Sequence, residues 1–248
     1  MPVDEPEVTV APLPEVTDPP EPADDDAEPE GAAAWTGQVG APTRLLLLRH
    51  GQSPLSVERR YSGRGNPELT RDGLEQAAAA ATALAARHVG SNGDIRAVIS
   101  SPLTRARQTA EPVAGVLGLP VGVDERLTET DFGAWEGLTF SEAAAQDPDV
   151  HRAWLGDSSV SPPDGESFDV VAQRVDAALG DLLRRFPGQT VVVVSHVTPI
   201  KLILRRALDA GPSLLFRLHL DLACLSVVEF WPDGGASVRL VNDTSYLA

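Results

Sequence analysis

Short apolar runs alternate with helix-like segments along most of the chain, and this alternation constrains the fold more than any other feature. The four clearest runs begin at Leu45, Ala97, Val121 and Thr190. Runs of this length, bounded by polar residues, are typical of buried strands. The segments between them repeat apolar residues at helical spacing. Such alternation predicts an α/β fold, a three-layer α/β/α sandwich with a mainly parallel central sheet.

Helix signals mark several of the intervening segments. Residues 71–88 are rich in alanine and follow Thr70, which can cap a helix. Another helix is expected to have Ser101 as its N-cap and Pro102 as its first residue and to run toward Gly118, with Pro112 as a kink or an interruption. Two further helices are predicted at 168–186 and 198–208, and two closing strands at 223–230 and 236–241.

The first 43 residues differ in composition from the rest of the chain. They hold eleven Asp and Glu, no Lys or Arg, and nine of the 21 prolines. Such a segment buries too little apolar surface to offset the entropy lost on ordering. We therefore predict a disordered, acidic, Pro-rich linker or tail over 1–43 and one folded domain over 44–248. The linker lacks the apolar core of a signal peptide and could tether another domain.

Charge and apolar patterning exclude several classes of function. The formal net charge of −16 argues against direct nucleic-acid binding by this chain. No run approaches the ~18 apolar residues that a membrane span needs.

The single cysteine, Cys224, cannot form an internal disulfide, which favours a reducing, cytoplasmic location. The closing strands could form a sheet edge used by a homodimer, but the sequence does not decide this.

Polar residues stand where the predicted strands end. In open α/β sheets, ligands bind outside the carboxyl ends of the strands. Arg49 and His50 end the first run, Arg105 lies one helical turn beyond the second, Glu129 follows the third, and His196 follows the fourth. The sequence therefore predicts one pocket that gathers two arginines, two histidines and one carboxylate.

Five motifs in this order resemble those of the histidine phosphatase superfamily, which includes the cofactor-dependent phosphoglycerate mutases. The motifs are Arg-His-Gly-Gln-Ser at 49–53, Leu-Thr-Arg-Asp-Gly at 69–73 with Gln-Ala at 76–77, and the strings at 100–109, 129–137 and 194–196. The resemblance spans residues 44–248 and implies a fold like that of phosphoglycerate mutase.

The resemblance implies a metal-independent phosphomonoester hydrolase of the acid phosphatase type, with no cofactor and a small phosphomonoester as substrate. His50 would be the nucleophile, forming a phosphohistidine, and Glu129 the general acid and base. Arg49, Arg105 and His196 would bind the phosphoryl group, because guanidinium pairs bidentately with phosphate oxygens. Since a carboxyl must be protonated to act as an acid, a neutral or mildly acidic optimum is expected.

The same resemblance places four more residues in substrate binding, namely Gln52, Ser56, Ser62 and Gly63. Many relatives have asparagine at the position of Ser56, and serine is shorter. Phe132 and Trp135 are expected to pack beneath the Glu129 loop and not to stack on a ligand.

Two alternatives to hydrolysis stay open. A mutase carries extra cationic residues in an insertion after the carboxylate motif, and the interval from Glu129 to His196 is short for that insertion. The string Pro-Asp-Gly-Glu-Ser at 163–167 also resembles the phosphatase branch, so hydrolysis is favoured over phosphoglycerate mutase-type transfer. A non-catalytic binding domain is disfavoured because His50, Arg105 and Glu129 are all present.

Within the phosphatases, residues 132–137 resemble the α-ribazole phosphatase branch. The acidic linker, the domain and the string at 241–247 together resemble the C-terminal phosphatase domain of actinobacterial ribonuclease H/acid phosphatase fusions. These motifs read phosphate and little else, so the natural substrate is left open.

Overall fold

A mainly parallel sheet forms the centre of the structure, a computed structural model that describes residues 39–88 and 94–247. Within these residues the sheet has six strands in the order β3-β2-β4-β1-β5-β6. Their bounds are β1 Thr43–Arg49, β2 Ile95–Ser100, β3 Val121–Val123, β4 Thr190–Ser195, β5 Leu225–Phe230 and β6 Ala236–Asp243. The first four in this order run parallel, and β5 and β6 add an antiparallel hairpin at one edge. The predicted fold class is confirmed.

Helices flank this sheet in the described part of the chain. Their bounds are α1 Pro54–Val57, α2 Arg71–His88, α3 Thr104–Leu117, α4 Phe140–Gln146, α5 Pro148–Trp154, α6 Phe168–Arg185, α7 Val197–Ala207 and α8 Leu214–Arg217. The helices predicted at 71–88, 168–186 and 198–208 are confirmed as α2, α6 and α7. Among the described residues, no helix is both long enough and apolar enough to cross a membrane.

The two central strands are apolar on both faces because each face is covered by helices. Leu45, Leu47 and the side chains of β4 that point the same way join a core cluster with α6 and α7. Leu46, Leu48 and the remaining β4 side chains join a second cluster with α2 and α3. Since side chains alternate along a strand, these two clusters make the three layers that the sequence predicts.

Helix α3 corrects one prediction in two respects. It begins at Thr104 and not at Pro102, and its N-cap is Leu103 and not Ser101, whose hydroxyl lies 2.7 Å from a ring nitrogen of His196. The helix also runs through Pro112, so the proline does not interrupt it, and the kink stays a prediction. On one face of the helix beside that proline, Ala110 and Val113 are fully buried, whereas Glu111 is exposed, so the packing of this face against the core stabilises the helix. Gly118 ends it in the left-handed conformation, as predicted.

The predicted acidic linker lies almost wholly outside the described residues, which begin at Val39. The linker therefore stays a prediction. The described residues all belong to one compact unit. Thr70 caps α2 as expected, since its hydroxyl accepts a hydrogen bond from the Gly73 amide at 3.1 Å.

Candidate active site

The carboxyl ends of β1, β2 and β4 lie side by side at one edge of the sheet. Arg49 is the register partner of Ser195, and the His50 amide donates to the Ser195 carbonyl at 3.0 Å. The Ser101 amide donates to the Val194 carbonyl at 2.9 Å, which aligns the end of β2 with the end of β4. The sheet register thus brings the sequence-predicted residues to one place.

The backbone after His50 is held against the start of α2 by two glycines. A Cβ at Gly51 would lie 2.5 Å from the Gly73 carbonyl oxygen, and one at Gly73 would lie 2.1 Å from the Gln52 carbonyl oxygen. No larger residue fits at either position without moving the backbone. The Gly51 amide also donates to the Thr109 hydroxyl at 3.0 Å, which ties this turn to α3.

His50 is buried, with 5% of its surface exposed. Its Nδ1 lies 2.8 Å from the carbonyl oxygen of Gly51. Because a carbonyl only accepts hydrogen bonds, this contact requires the hydrogen on Nδ1 and leaves the lone pair of the neutral ring on Nε2. The ring centroids of His50 and His196 are 5.1 Å apart. An imidazole fixed in this way can act as a nucleophile through Nε2.

Arg49 and Arg105 are both held by backbone carbonyls. One terminal nitrogen of Arg49 donates to the Leu220 carbonyl at 2.5 Å. Arg105 is fully buried and donates to the carbonyls of Gly65 at 2.8 Å, Ser62 at 2.9 Å and Gly63 at 3.0 Å. Within the described residues, the Nε atoms of both arginines are buried without a hydrogen-bond partner.

Burial lowers the pKa of both arginines. Glu129 lies within electrostatic reach of each guanidinium and opposes this shift. The pKa of Arg105 falls to about 10, mainly through burial, with Arg49 adding a smaller repulsive effect. Arg105 therefore stays cationic at neutral pH.

His196 is fully buried at the N-terminal end of α7. Its Nε2 lies 2.7 Å from the Ser101 hydroxyl oxygen, whereas Nδ1 has no partner in the part of the chain described. The pKa values of His50 and His196 both lie well below the ordinary value, first because of burial and then because of the nearby Arg105. Both rings are therefore neutral near pH 7.

These depressed pKa values predict that stability falls as the pH drops below about 6.5. The unfolded chain binds a proton on each histidine there, while the folded chain keeps His50 and His196 neutral. Each histidine that is protonated only in the unfolded chain lowers the free energy of unfolding by about 1.4 kcal/mol per pH unit, until the pH reaches its pKa in the folded chain. Burial also lowers the pKa of His151, which adds to the effect.

Urea unfolding between pH 7.5 and 5.5 measures this slope. The variant His196→Gln should lose part of the slope whatever its stability at pH 7.5, because one titrating group is gone. An unchanged slope in the variant would contradict the assignment of a neutral, buried His196.

Glu129 lies on the loop that follows β3, with 5% of its surface exposed. One carboxylate oxygen accepts from the Thr130 amide at 2.8 Å, and the other lies 3.5 Å from the amide nitrogen of Thr198 in α7. Phe132 and Trp135 are buried beneath this loop, in contact with the Tyr61 ring, as expected.

Two charged side chains clamp the Glu129 loop, and sequence reasoning missed their role. Arg174 in α6 donates to the carbonyls of Arg126 at 2.8 Å, Thr128 at 2.5 Å and Glu129 at 3.0 Å. It also pairs with Glu166 at 3.1 Å. One indication of this role was present in the sequence. Glu166, in the Pro-Asp-Gly-Glu-Ser string, is followed eight residues later by an arginine in a predicted helix.

Glu136 and Lys201 were also missed. Glu136 accepts hydrogen bonds from the amides of Gly63 at 2.9 Å and Gly65 at 2.9 Å. The same loop thus donates from its amides to Glu136 and accepts at its carbonyls from Arg105. Lys201 donates to the Leu215 carbonyl at 2.7 Å and lies within electrostatic reach of Glu129. Its signal in the sequence was a lysine between the apolar residues Ile200 and Leu202.

The four additional substrate-binding predictions stay predictions. Gln52 accepts from the Thr70 hydroxyl at 2.7 Å, and the Ser56 hydroxyl donates to the Ser53 carbonyl at 2.7 Å. The Gly63 amide donates to Glu136, while its neighbour Ser62 has a buried hydroxyl without a partner among the residues described. The buried Ser62 hydroxyl therefore has no competing hydrogen bond from the described residues.

Comparison with known proteins places this geometry in a family. Residues 45–244 match the histidine phosphatase superfamily (branch 1). The chain belongs to the histidine phosphatase superfamily. The five motifs and the fold that the sequence predicts for a member of this superfamily are therefore confirmed at the level of the family.

Several relatives carry the name of a phosphatase. The adenosylcobalamin/alpha-ribazole phosphatase of Escherichia coli is 31% identical over 200 residues, which cover 80% of this chain and 95% of that protein. The structure of mycobacterial glucosyl-3-phosphoglycerate phosphatase in complex with VO3 superposes with a TM-score of 0.74 and 30% identity, over 82% of this chain and 100% of that one. These names support the predicted enzyme class, a phosphatase of the histidine phosphatase type.

A more similar relative is longer than this chain. The bifunctional protein Rv2228c of Mycobacterium tuberculosis is 61% identical over 213 residues, which cover 86% of this chain and 57% of that protein. This chain thus spans little more than half the length of that relative. The resemblance to fusions with ribonuclease H stays a prediction.

Proposed function

We propose that this domain hydrolyses small-molecule phosphomonoesters through a phosphohistidine on His50, without a metal ion. The observation that carries the proposal is a set of buried nitrogen atoms around His50. The Nε atoms of Arg49 and Arg105 and the Nδ1 of His196 have no hydrogen-bond partner in the described part of the chain. The two arginine Nε–H groups are donors, which are costly to leave unpaired when they are buried, and a phosphoryl group supplies the acceptors that they need.

In the first step, Nε2 of neutral His50 attacks phosphorus as the bond to the ester oxygen breaks. Glu129 gives its proton to that oxygen, so the alcohol leaves uncharged. The tautomer with the hydrogen on Nδ1, held by the Gly51 carbonyl at 2.8 Å, supports attack through Nε2. The positive charge that develops on the ring is offset by the negative phosphoryl group.

In the second step, the Glu129 carboxylate takes a proton from water, and the water oxygen attacks phosphorus. The P–N bond breaks, and its electron pair returns to Nε2, which restores neutral His50 and releases inorganic phosphate. Phosphoryl transfer requires mostly positioning and charge stabilisation. The cationic groups of Arg49 and Arg105 supply the charge, which removes the need for a metal ion.

The substrate is proposed as a small phosphomonoester, with α-ribazole phosphate and glucosyl-3-phosphoglycerate as the first compounds to test. Two relatives are named for activity on these compounds. The low pKa of His50 keeps the nucleophile unprotonated in mildly acidic solution, which supports an optimum of the acid phosphatase type.

Hydrolysis of p-nitrophenyl phosphate from pH 4 to 8, with EDTA present, tests the proposal. We expect turnover that is insensitive to EDTA and inhibited by orthovanadate, because vanadate offers the same oxygens to the same cations. The same preparation is assayed with 3-phosphoglycerate and its bisphosphate primer. Transfer without hydrolysis would establish the mutase alternative, and loss of turnover on chelation would refute the metal-independent mechanism.

A further inference from the structure

One segment between α8 and β5 touches both residues at the end of β1. In this segment, the 219–224 loop, the Leu220 carbonyl accepts from a terminal nitrogen of Arg49 at 2.5 Å. The Ala223 amide donates to the His50 carbonyl at 3.1 Å, and the Cys224 carbonyl accepts from the Arg49 amide at 3.1 Å. The conformation of the 219–224 loop therefore sets the position of Arg49.

The far side of the 219–224 loop is held by the C-terminal strand. The Asp221 amide donates to the Asn242 side-chain oxygen at 2.6 Å, and the Asn242 side-chain nitrogen donates back to the Asp221 carboxylate at 2.8 Å. The Tyr246 hydroxyl donates to the Ala223 carbonyl. Two partners from beyond the loop thus hold it from outside, while Arg49 and His50 hold it from inside.

The backbone at both anchor points is in an unfavourable conformation that these contacts maintain. Ala223 has φ of 51° and Asn242 has φ of 58°, in the left-handed region. Asparagine tolerates that region better than other residues with a side chain, whereas alanine does not. The register of β5 and β6 shifts between Leu225 and Val227. Irregularities of this kind re-aim side chains, and here the Asn242 side chain meets Asp221.

Charge reinforces the geometry. Asp221 lies within electrostatic reach of Arg49 and raises its pKa, against the larger effect of burial. The hydrogen bond from Asn242 is the largest of the effects that lower the pKa of Asp221, so this carboxylate stays ionised beside the arginine. Asp221 is thus one of three groups, after Cys224 and Glu129, that favour the charged form of Arg49.

We propose that Asn242 is a positioning residue for phosphate binding, acting through Asp221 and the 219–224 loop on the guanidinium of Arg49. The inference rests on the proposed function and deepens it. One terminal nitrogen of Arg49 is fixed on the Leu220 carbonyl, which leaves its Nε for a phosphoryl oxygen. Without the Asn242 side chain, the Tyr246 hydroxyl on the Ala223 carbonyl is the outer contact that remains of these two, the Asp221 end of the loop is released, and Arg49 is less restrained.

The variant Asn242→Gly tests this, because glycine keeps the left-handed backbone and removes only the side chain. In the full chain, we expect the inhibition constants of orthovanadate and inorganic phosphate to rise about ten-fold, which corresponds to about 1.4 kcal/mol. KM for p-nitrophenyl phosphate should rise in parallel, with a smaller change in kcat. The matched control is Ser237→Gly, the same kind of change near the other end of β6, which should leave both constants unchanged.

Coupling to Arg49 separates positioning from a general loss of stability. In an Arg49→Lys background, Asn242→Gly should have little further effect on orthovanadate inhibition, because the residue it acts through is already altered. Full additivity of the two changes would overturn the inference. If Asn242→Gly does not fold, Tyr246→Phe replaces it, with a rise of about three-fold expected in the same constants.

The outcomes distinguish this inference from the proposed function. An active wild type, together with an Asn242→Gly protein whose inhibition constants stay within about two-fold, overturns the inference and leaves the proposed function standing. An inactive wild type overturns both.

Discussion

Replacing His50 with alanine is expected to abolish phosphatase turnover, with a loss of at least about 10⁴-fold in kcat. The ring accepts the phosphoryl group in the proposed first step, and the described site offers no second imidazole in an equivalent setting. His196 lies 5.1 Å away, ring centroid to ring centroid, but its Nε2 faces the Ser101 hydroxyl and not a backbone carbonyl. It therefore lacks the fixed tautomer that the Gly51 carbonyl gives to His50.

Rapid alkaline quench of the wild type with a slowly hydrolysed phosphomonoester, followed by peptide mass spectrometry without acid steps because the P–N bond is labile in acid, should place the phosphoryl group on His50. The variant should show no such adduct while still binding orthovanadate, because Arg49, Arg105 and His196 remain. The matched control is His88→Ala, at the end of α2, which should keep full turnover. A phosphorylated peptide that does not contain His50 would contradict the assignment of the nucleophile.

Much of this fold and site follows from local pattern. The runs of leucine and valine in β1 and β4 are apolar at every position, which only a strand covered on both faces requires. Since parallel strands end at one edge, polar residues after those runs had to lie near one another. This physical link is why Arg49, His50 and His196 could be placed together from sequence.

What the sequence did not predict depends on contacts between distant segments. The Leu220 carbonyl accepts a hydrogen bond from Arg49 across 171 positions of sequence. Because every residue has a backbone carbonyl, the identity of residue 220 does not indicate this contact. Asn242 reads as an ordinary turn or strand residue until the hairpin places it against Asp221. The start of α3 was mispredicted for a similar reason, because the Ser101 side chain meets His196 across 95 positions.

Replacing Glu129 with glutamine is expected to lower the rate of hydrolysis more strongly the more basic the leaving group is. Glutamine keeps the size of the side chain and can still accept from the Thr130 amide, which the carboxylate does at 2.8 Å. It cannot give a proton to a departing alkoxide. Alkyl phosphates need that proton, so their kcat/KM should fall by about 10²–10⁴-fold, the range that general acid catalysis contributes.

Activated aryl esters behave differently because their oxygen leaves without protonation. For p-nitrophenyl phosphate we therefore expect a loss of less than about ten-fold in the first step. A series of phenyl and alkyl phosphates, plotted against the pKa of the leaving group, should show a steeper slope for Glu129→Gln than for the wild type. The matched control is Glu125→Gln, an exposed carboxylate just upstream on the same loop, which should leave the slope unchanged.

The slope also separates the chemical role of Glu129 from a positioning role. Arg174 grips the backbone of this loop through the Thr128 and Glu129 carbonyls, so disturbing the loop would impair all substrates alike. Equal slowing of aryl and alkyl esters by Glu129→Gln would thus assign the residue to loop structure and remove it from the proton transfer. Slowing confined to poor leaving groups requires that its carboxyl delivers the proton.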